Sequence, residues 1–344
     1  MKIACLSFSE RGKSLGEKIK KYSNQQGKYI LDHFNNREVR SGIKSLMPRL
    51  IMEYDGLIFI SATGIAIRFI NPYIVDKTLD PAVVVVDDMG RFSISLLSGH
   101  IGGGNELANW IGNTIGAIPV ITTATDNRGI EAVDIFAMKN NYYIENMVDA
   151  KNITAMMVDG KKIGFYSEMD EIIQYDNLIV VEDLDYIDSS IFGLIIISSD
   201  YDEKLENIKS NYGVCQLIPR NINIGIGCRK GVEGNKIIDA VKRELEETNL
   251  SVKGIKSIGT IEVKKDEIGI IEAAKYFDSP LKIFTIDEIK EVEDKFEGSQ
   301  FVKDTIGVYS VSEPAAHLMG GNLISRKSKY NGITISIAKE IKNE

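Results

Sequence analysis

The fold is decided by the stretch Leu96-Leu97-Ser98-Gly99-His100-Ile101-Gly102-Gly103-Gly104-Asn105-Glu106-Leu107-Ala108, where a strand pattern gives way to glycines and then to a helix pattern. Before it, apolar and polar residues alternate from Phe92 to Leu97, a period of two that is typical of a strand. After it, apolar residues recur at helical spacing from Leu107 to Ile115, and Gly116 is placed to end the helix. The sequence therefore predicts a strand, a glycine-rich turn and a helix in succession.

This glycine turn carries groups that suit catalysis. The first N–H groups of a helix have no partners within the helix, so they stabilise an anion or a developing oxyanion. His100 can act as a base near neutral pH, and Glu106 can assist it. The glycines 102–104 lack a Cβ and let a ligand approach the main chain. The alternative is that these glycines only permit tight packing and that Glu106 only favours the helix dipole. We predict a site for attack on an ester or lactone carbonyl.

Further short apolar runs predict an α/β fold. The predicted strands of the first part of the chain are Ile3–Phe8, Leu57–Ile60, Val83–Val86 and Ile118–Ile121. Predicted helices lie at Leu15–Tyr22, Val39–Met52 and Leu107–Ile115. Such alternation indicates a mostly parallel sheet that is covered by helices on both faces.

The 344 residues suggest two or three domains. Residues 1–138 form the predicted N-terminal α/β domain. Residues 139–217 are richer in Asp, Tyr and Ile and form a small middle α/β segment, with strands at Leu178–Val181 and Leu194–Ile197. Residues 218–344 form the predicted C-terminal α/β domain.

A second glycine-rich turn opens the predicted C-terminal domain. Residues 221–227 alternate as a strand, Cys228-Arg229-Lys230-Gly231 form the turn, and apolar residues from Ile237 to Leu245 mark the next helix. Arg229 and Lys230 can bind an anion there, or they are two solvated surface charges.

A third candidate lies near the end of the chain. Ile306–Val311 is predicted as a strand that leads into Glu313-Pro314-Ala315-Ala316-His317. Pro314 suits the first turn of a helix, so Glu313 and His317 lie one turn apart on the same face. The two side chains can transfer protons as a pair; alternatively they are a capping carboxylate and a surface histidine.

Composition limits the partners and the compartment. There are 49 acidic and 41 basic residues, a net charge of −8, which disfavours a nucleic-acid partner. Three widely spaced cysteines fit neither a disulfide framework nor a metal site and indicate a reducing compartment. No apolar run approaches about 18 residues, and the N-terminal run is too short for a signal peptide. We expect a cytoplasmic protein with a small-molecule ligand, no membrane partner and possible homodimers.

Two nucleotide-binding patterns are incomplete. Ser7–Ser14 and Val83–Asp88 together resemble a P-loop with its magnesium carboxylate, but Ser7 replaces the first glycine, where a Cβ crowds the phosphate loop. Gly225 and Gly227 could open a dinucleotide fingerprint, but the third glycine, Gly231, comes one residue late. A P-loop NTPase stays a minor alternative.

Taken together, the motifs resemble the cobalt-precorrin-5A hydrolases of anaerobic cobalamin biosynthesis. The resemblance to the N-terminal region of that family rests on Asp80–Asp87, Leu97–Ala108 and Val120–Asp126. The resemblance to its C-terminal domain rests on Gly225–Gly231 and Glu313–Ala316. The motifs occur in the family's order and leave out the middle segment. One departure is Gly104, where the family pattern has alanine.

The resemblance implies an enzyme that opens the δ-lactone of a cobalt-containing tetrapyrrole and expels a two-carbon unit as acetaldehyde, giving cobalt-precorrin-5B. His100 would be the base, and the amides of residues 102–106 would hold the oxyanion. Arg68, in the predicted turn of residues 63–68, would anchor substrate carboxylates together with Arg229 and Lys230. The other expected substrate contacts are Gly102, Gly103, Gly104, Asn105, Thr122, Thr123 and Glu313. We expect no cofactor and no protein-bound metal, since the cobalt belongs to the substrate. The alternative of a different class is a non-catalytic tetrapyrrole-binding or delivery protein.

Overall fold

A computed structural model describes residues 1–76, 79–100, 102–122, 129–201, 205, 207–209 and 212–342. The chain forms two compact units, Met1–Ile130 and Glu131–Glu344. Thr123, one of the expected substrate contacts, lies outside the described residues.

Unit 1 contains a six-stranded sheet. Its strands are β1 (Lys2–Ser7), β2 (Ile30–Asn35), β3 (Gly56–Ile60), β4 (Ala82–Val86), β5 (Phe92–Leu97) and β6 (Ile118–Val120). Its α-helices are α1 (Glu10–Gln26), α2 (Met47–Glu53), α3 (Thr63–Ile70) and α4 (Gly104–Ile115), and single 3₁₀ turns span Ile43–Leu46 and Asn71–Tyr73. The strand order is β2-β1-β3-β4-β5-β6, and every neighbouring pair is parallel except β4 and β5, which are antiparallel.

Both faces of this sheet are buried. Alternate residues of β1, β3 and β4 pack against α1 and α4 on one face and against α2 and α3 on the other. Burial on both sides explains why these strands are continuous apolar runs and do not alternate with polar residues. The predicted α/β fold with a mostly parallel sheet is confirmed.

Unit 2 contains two five-stranded sheets. The strands of the first are β7 (Tyr143–Ile144), β8 (Ile163–Ser167), β9 (Leu178–Val180), β10 (Gly193–Ile197) and β11 (Gly213–Ile218), in the order β7-β11-β10-β8-β9. Those of the second are β12 (Ile222–Cys228), β13 (Ile255–Ile261), β14 (Leu281–Phe284), β15 (Asn322–Tyr330) and β16 (Ile333–Lys339), in the order β14-β13-β12-β16-β15. The division into three domains at 138 and 217 stays a prediction.

Strands and helices alternate only in part in unit 2, since no α-helix separates β15 from β16. The α-helices whose bounds are described are α5 (Val133–Lys139), α6 (Met147–Val158), α7 (Gly234–Glu247), α8 (Ile268–Tyr276), α9 (Ile286–Val292), α10 (Gln300–Ile306) and α11 (Ser312–Leu318). Single 3₁₀ turns span Val252–Gly254, Glu262–Lys264 and Glu293–Lys295.

Three local predictions are wrong. The helix predicted over Val39–Met52 is a 3₁₀ turn followed by α2, because Pro48 fits only the first turn of an α-helix. The strand predicted over Ile306–Val311 is absent: α10 ends at Ile306, where Gly307 takes the left-handed conformation, with φ 88°. The predicted turn of residues 63–68 is the helix α3.

Candidate functional site

The glycine turn lies at the edge of the unit 1 sheet where β1, β3 and β4 begin, which we call the amino edge. Because β5 is antiparallel to β4 and parallel to β6, the carboxyl ends of β5 and β6 lie at this edge. His100 follows the carboxyl end of β5, and Thr122 follows the carboxyl end of β6. Ligands of α/β sheets bind at carboxyl strand ends, close to points where the strand arrangement changes. The fold therefore brings His100 and Thr122 to one edge.

The turn folds back on itself through its own backbone. The N–H of Gly103 donates to the carbonyl of His100 at 2.9 Å, that of Gly104 to Ser98 at 3.0 Å, and that of Asn105 to Gly99 at 2.8 Å. These bonds do not support the expected role of these three amides in holding the oxyanion, because the turn itself supplies their acceptors. Among the described residues, no backbone carbonyl outside helix α4 accepts the N–H of Gly102 or of Glu106.

Tight packing explains two of the glycines. A Cβ on Gly102 would lie 2.5 Å from Ser98 Cβ and 2.8 Å from the Ser98 carbonyl oxygen. A Cβ on Gly104 would lie 2.8 Å from the Leu97 carbonyl oxygen. Gly103 has φ 81°, a conformation that favours glycine. The turn thus needs glycine for its own shape, which keeps His100 half-buried at the amino edge.

Glu106 does not support His100 in this arrangement. Its Oε1 lies 2.8 Å from Lys28 Nζ, and the Glu106 side chain is 65% exposed. The hydrogen bond from Lys28 raises the lysine's pKa. Helix α4 turns Gly104, Leu107 and Ala108 toward the core, so the carboxylate of Glu106 is on the solvent side. Asn105 lies closer to the turn: its Oδ1 is 2.7 Å from the position of a Cβ on Gly99.

Arg68 lies in the last turn of α3 and is exposed. Helix α3 lies between β3 and β4 in the chain, so of the predicted anchors Arg68 is in the same unit as His100.

The second glycine turn has a different character. Arg229 is exposed, and its N–H donates to the Gly332 carbonyl at 2.9 Å. The N–H of Gly231 donates to Glu267 Oε2 at 2.9 Å, and this hydrogen bond is the main cause that lowers the pKa of Glu267. Lys230 lines a cavity of about 710 Å³ whose other charged residues are Glu233, Asp266, Glu267 and Glu272. These four carboxylates line the same cavity and repel an anion, so the structure does not support an anionic ligand at Lys230.

The two C-terminal motifs fit against each other. A Cβ on Gly225 would collide with the Ser312 carbonyl and would lie 2.7 Å from the backbone nitrogen of Ala316. Glycine at this position of β12 thus lets the backbone of α11 lie directly on the sheet. Ala315 and Ala316 are fully buried in this contact. Both motifs therefore serve close packing between a strand and a helix.

This packing buries Glu313, which is only 2% exposed. Its Oε2 has no hydrogen-bond partner in the described part of the chain. Burial raises the pKa of Glu313, and Lys327 and Arg326 act in the opposite direction. Direct substrate contact is not supported for a carboxylate in this position.

His317 does not pair with Glu313 either. Its Nε2 lies 3.2 Å from Lys295 Nζ, and its ring contacts the Phe296 ring edge-on, with centroids 5.6 Å apart. Partial burial lowers the pKa of His317, and the charge of Lys295 lowers it further. The predicted acid–histidine pair is therefore wrong, because Lys295 takes the place of the acid beside the ring.

Sequence reasoning missed a polar cluster at the opposite edge of the unit 1 sheet. Ser7 Oγ lies 2.9 Å from His33 Nε2, and Asn35 Nδ2 donates to Ser7 Oγ at 3.0 Å. Burial lowers the pKa of His33. Ser7 is fully buried, so the cluster joins strands and presents no nucleophile. An isolated histidine gives no signal of such a cluster in a single sequence.

The helix that follows this cluster does not form a phosphate cradle. Ser9 Oγ caps α1 by accepting the N–H of Gly12 at 3.0 Å. Lys13 forms an ion pair with Glu38. A P-loop would need both the amides and the lysine for a phosphate, so the structure does not support the NTPase alternative.

Two broader features concern metals and membranes. Within the described ranges, no group of three or more His, Cys, Asp or Glu residues could hold a metal ion. No helix formed by the described residues is long and apolar enough to cross a membrane.

Comparison with known proteins gives matches along the whole chain. Residues 45–126 match the family model described as the cobalamin synthesis G N-terminal region. Residues 131–212 match the cobalamin biosynthesis central region, and residues 222–338 match the cobalamin synthesis G C-terminus. The matches thus include the middle segment, for which the sequence motifs gave no resemblance.

Three curated relatives extend these matches. The chain is 38% identical to the cobalt-precorrin-5A hydrolase of Salmonella typhimurium over 303 residues, 86% of this chain and 85% of the relative. It is 32% identical to the protein of that name from Priestia megaterium, over 97% of this chain and 94% of the relative. It is 31% identical to the probable cobalt-precorrin-5A hydrolase of Methanocaldococcus jannaschii, over 99% of each.

Proposed function

The chain belongs to the cobalamin synthesis G family, and from this premise we propose that it is a cobalt-precorrin-5A hydrolase. The observation that carries the proposal is the similarity, over 86% of the chain or more, to relatives of that name. In the proposed reaction, the δ-lactone of a cobalt tetrapyrrole is hydrolysed, acetaldehyde is released and cobalt-precorrin-5B is formed. The cobalt enters and leaves with the substrate, and we propose no other cofactor.

The first step needs a base for water and donors for the oxyanion. Water adds its hydroxyl to the lactone carbonyl carbon, and its proton passes to a base. His100, half-buried at the amino edge, is the proposed base. The N–H groups of Gly102 and Glu106 are the proposed donors, since the neighbouring three amides are bonded within the turn. When the acyl C–O bond breaks, a carboxylate and a free hydroxyl remain.

The second step needs little from the protein. The freed hydroxyl loses its proton while the bond between its carbon and the macrocycle breaks, and acetaldehyde leaves. The electron pair of that bond enters the conjugated ring of the substrate, which accepts it. Arg68 is the proposed anchor for a peripheral carboxylate during both steps, and Thr122 is a proposed substrate contact at the same edge as His100.

The decisive experiment compares two histidine variants in an anaerobic assay with the cobalt lactone and no added ATP. His100→Ala should retain tetrapyrrole binding and release acetaldehyde about 10²-fold more slowly, or slower still. His317→Gln is the matched control, because its ring faces Lys295, and its rate should equal that of the wild type.

The possible outcomes separate the alternatives. Undiminished release from a folded His100→Ala protein would remove His100 from the mechanism. Binding of the lactone by the wild type without any acetaldehyde would favour a delivery protein. A strict ATP requirement would revive the NTPase interpretation.

A further inference from the structure

A buried ion cluster joins the two sheets of unit 2. Glu168 directly follows β8, Asp200 lies shortly after β10, and Lys339 is the last residue of β16. Lys339 Nζ lies 2.8 Å from Glu168 Oε1 and 2.7 Å from Asp200 Oδ1. Because β8 and β10 belong to the first sheet and β16 belongs to the second, the lysine connects the two sheets. We call these three side chains the sheet joint.

Backbone hydrogen bonds lie beside the sheet joint. The N–H of Lys342, which follows β16, donates to the Glu168 carbonyl at 2.6 Å. The N–H of Ser251, which precedes β13, donates to the carbonyl of Ser199, which follows β10, at 2.8 Å. These bonds connect the backbone next to the first sheet with the backbone next to the second, so the segments that carry the three side chains are held together.

The charges of the sheet joint do not balance. The side chains of Lys339 and Glu168 are 6% and 10% exposed, and that of Asp200 is 42% exposed. Two carboxylates and one ammonium leave one negative charge uncompensated. Among the described residues, no second lysine or arginine lies within 4.0 Å of the Glu168 carboxylate, and the nearby Lys256 binds both carboxylate oxygens of Glu340. Because a buried charge without a partner is strongly disfavoured, the sheet joint needs one more positive charge.

The surroundings of Glu168 favour a proton as this charge. Its Oε2 is buried and has no hydrogen-bond partner in the described part of the chain. The pKa of Glu168 is raised: burial is the main cause, the charge of Lys339 lowers it, and the charge of Asp200 and a hydrogen bond between the two carboxyl groups raise it. A hydrogen bond between two carboxyl groups requires a proton on one of them, because a carboxylate can only accept.

We propose that Glu168 and Asp200 share one proton, and that this proton makes the sheet joint a pH-sensitive clasp between the two sheets of unit 2. With the proton bound, one carboxylate faces one ammonium and the cluster is neutral. When the proton leaves to solvent, the second negative charge stays between the sheets and weakens their contact. None of these three residues takes part in the proposed reaction.

The effect of pH on the sheet joint has a defined sign. The folded state binds the proton more tightly than the unfolded chain, in which a glutamate has the ordinary pKa of 4.5. The stabilisation that the proton supplies is therefore complete below about pH 4.5 and is lost as the pH rises through the pKa of the folded pair. The clasp is closed in acid and loosens toward neutral pH.

The first test titrates Glu168 by carbon NMR of protein that is isotope-labelled at the glutamate carboxyl groups. A signal that is absent from Glu168→Gln should titrate above pH 4.5 in the wild type. Asp200→Asn should move this signal to lower pH, because the neighbouring negative charge is then gone. The control Glu233→Gln removes a carboxylate from an exposed ion pair, where the side chain is 72% exposed, and should leave the signal unchanged.

The second test measures hydrogen exchange of the Lys342 N–H, which is bonded to the Glu168 carbonyl. Between about pH 5 and about pH 8, its protection factor should fall about tenfold or more in the wild type and in Glu233→Gln. In Glu168→Gln the protection factor should stay constant, because the amide leaves one carboxylate and one ammonium at every pH in this range.

Four results would overturn the proposal. The first is a Glu168 signal that titrates at or below pH 4.5, and the second is a pH-dependent protection factor that persists in folded Glu168→Gln. The third is a protection factor that falls at constant pH when sodium chloride is replaced by choline chloride, because a metal cation would then supply the charge. If Glu168→Gln does not fold, Asp200→Asn decides: a downward shift of the raised signal supports the shared proton, and an unchanged titration is the fourth contrary result.

Discussion

Replacing Gly102 with alanine tests whether the shape of the glycine turn controls His100. The new Cβ would lie 2.5 Å from Ser98 Cβ and 2.8 Å from the Ser98 carbonyl oxygen. Carbon atoms in contact are normally about 3.5–4.0 Å apart, so the turn would have to open by about 1 Å. Overpacking of this kind costs about 1–3 kcal/mol of the free energy of unfolding.

The displacement should affect the rate more than the stability. The N–H groups of Gly103 and Gly104 donate to the carbonyls of His100 and Ser98, so a shift between Ser98 and Gly102 moves His100 as well. A displacement of about 1 Å in a catalytic group lowers a rate by about 10²-fold. We therefore expect kcat for acetaldehyde release to fall by about that factor in a protein that remains folded.

The control is Gly64→Ala in the first turn of α3. No heavy atom of the described chain lies within 4 Å of the position of this Cβ. Alanine in a helix is favoured over glycine by about 0.5–1 kcal/mol, so this variant should be slightly more stable and equally active. Urea unfolding and the acetaldehyde assay are measured on both variants. Wild-type kcat and stability in Gly102→Ala would refute the packing described for the turn.

Two further predictions concern unit 2. Lys339 is 5% exposed, and its Nζ lies 2.8 Å from Glu168 Oε1 and 2.7 Å from Asp200 Oδ1. In urea unfolding, Lys339→Met should therefore lower the free energy of unfolding by about 3–5 kcal/mol, whereas Lys256→Met, at a half-exposed ion pair, should lower it by less than about 1 kcal/mol. Equal losses in the two variants would contradict the buried pairing. Burial raises the pKa of Glu313, so the folded state binds the proton more tightly than the unfolded state, and the free energy of unfolding should fall as the pH rises above the ordinary pKa of 4.5. Glu313→Gln should abolish that fall. An identical pH profile of unfolding in the variant and the wild type would disprove this role of Glu313.

The sequence predicts the elements whose pattern depends on local spacing and burial. Residues 92–97 alternate and form β5, and the helical spacing of Leu107–Ile115 marks α4, which Gly116 ends with φ 82°. Apolar runs such as Val83–Val86 are strands because both faces of the sheet are covered. These features follow from the chain within about ten residues, so a single sequence contains them.

Other features depend on contacts that are distant in the sequence. The acceptors of the amides of the glycine turn are carbonyls of the same turn, and no residue type reveals this arrangement. Lys28 binds the carboxylate of Glu106 from 78 residues away, a partner that sequence spacing cannot indicate. Glu313 is buried because glycine at position 225 lets the backbone of α11 pack directly on β12. The environment of Glu313 therefore depends on a residue of a strand that is distant in the sequence.

The two glycine-rich turns show why the same sequence signal has different physical causes. In both, a strand leads through glycines into a helix, and both predict an anion site at the start of that helix. In the first, Gly102 and Gly104 let the turn fold onto Ser98 and Leu97, and the result presents a half-buried histidine at carboxyl strand ends. In the second, Gly225 lets the backbone of α11 pack against β12, and Glu267 accepts the N–H of Gly231. The two turns differ in the atoms that a Cβ on their glycines would contact and in the groups that accept their backbone N–H. Both differences favour the first turn as the place of the proposed chemistry.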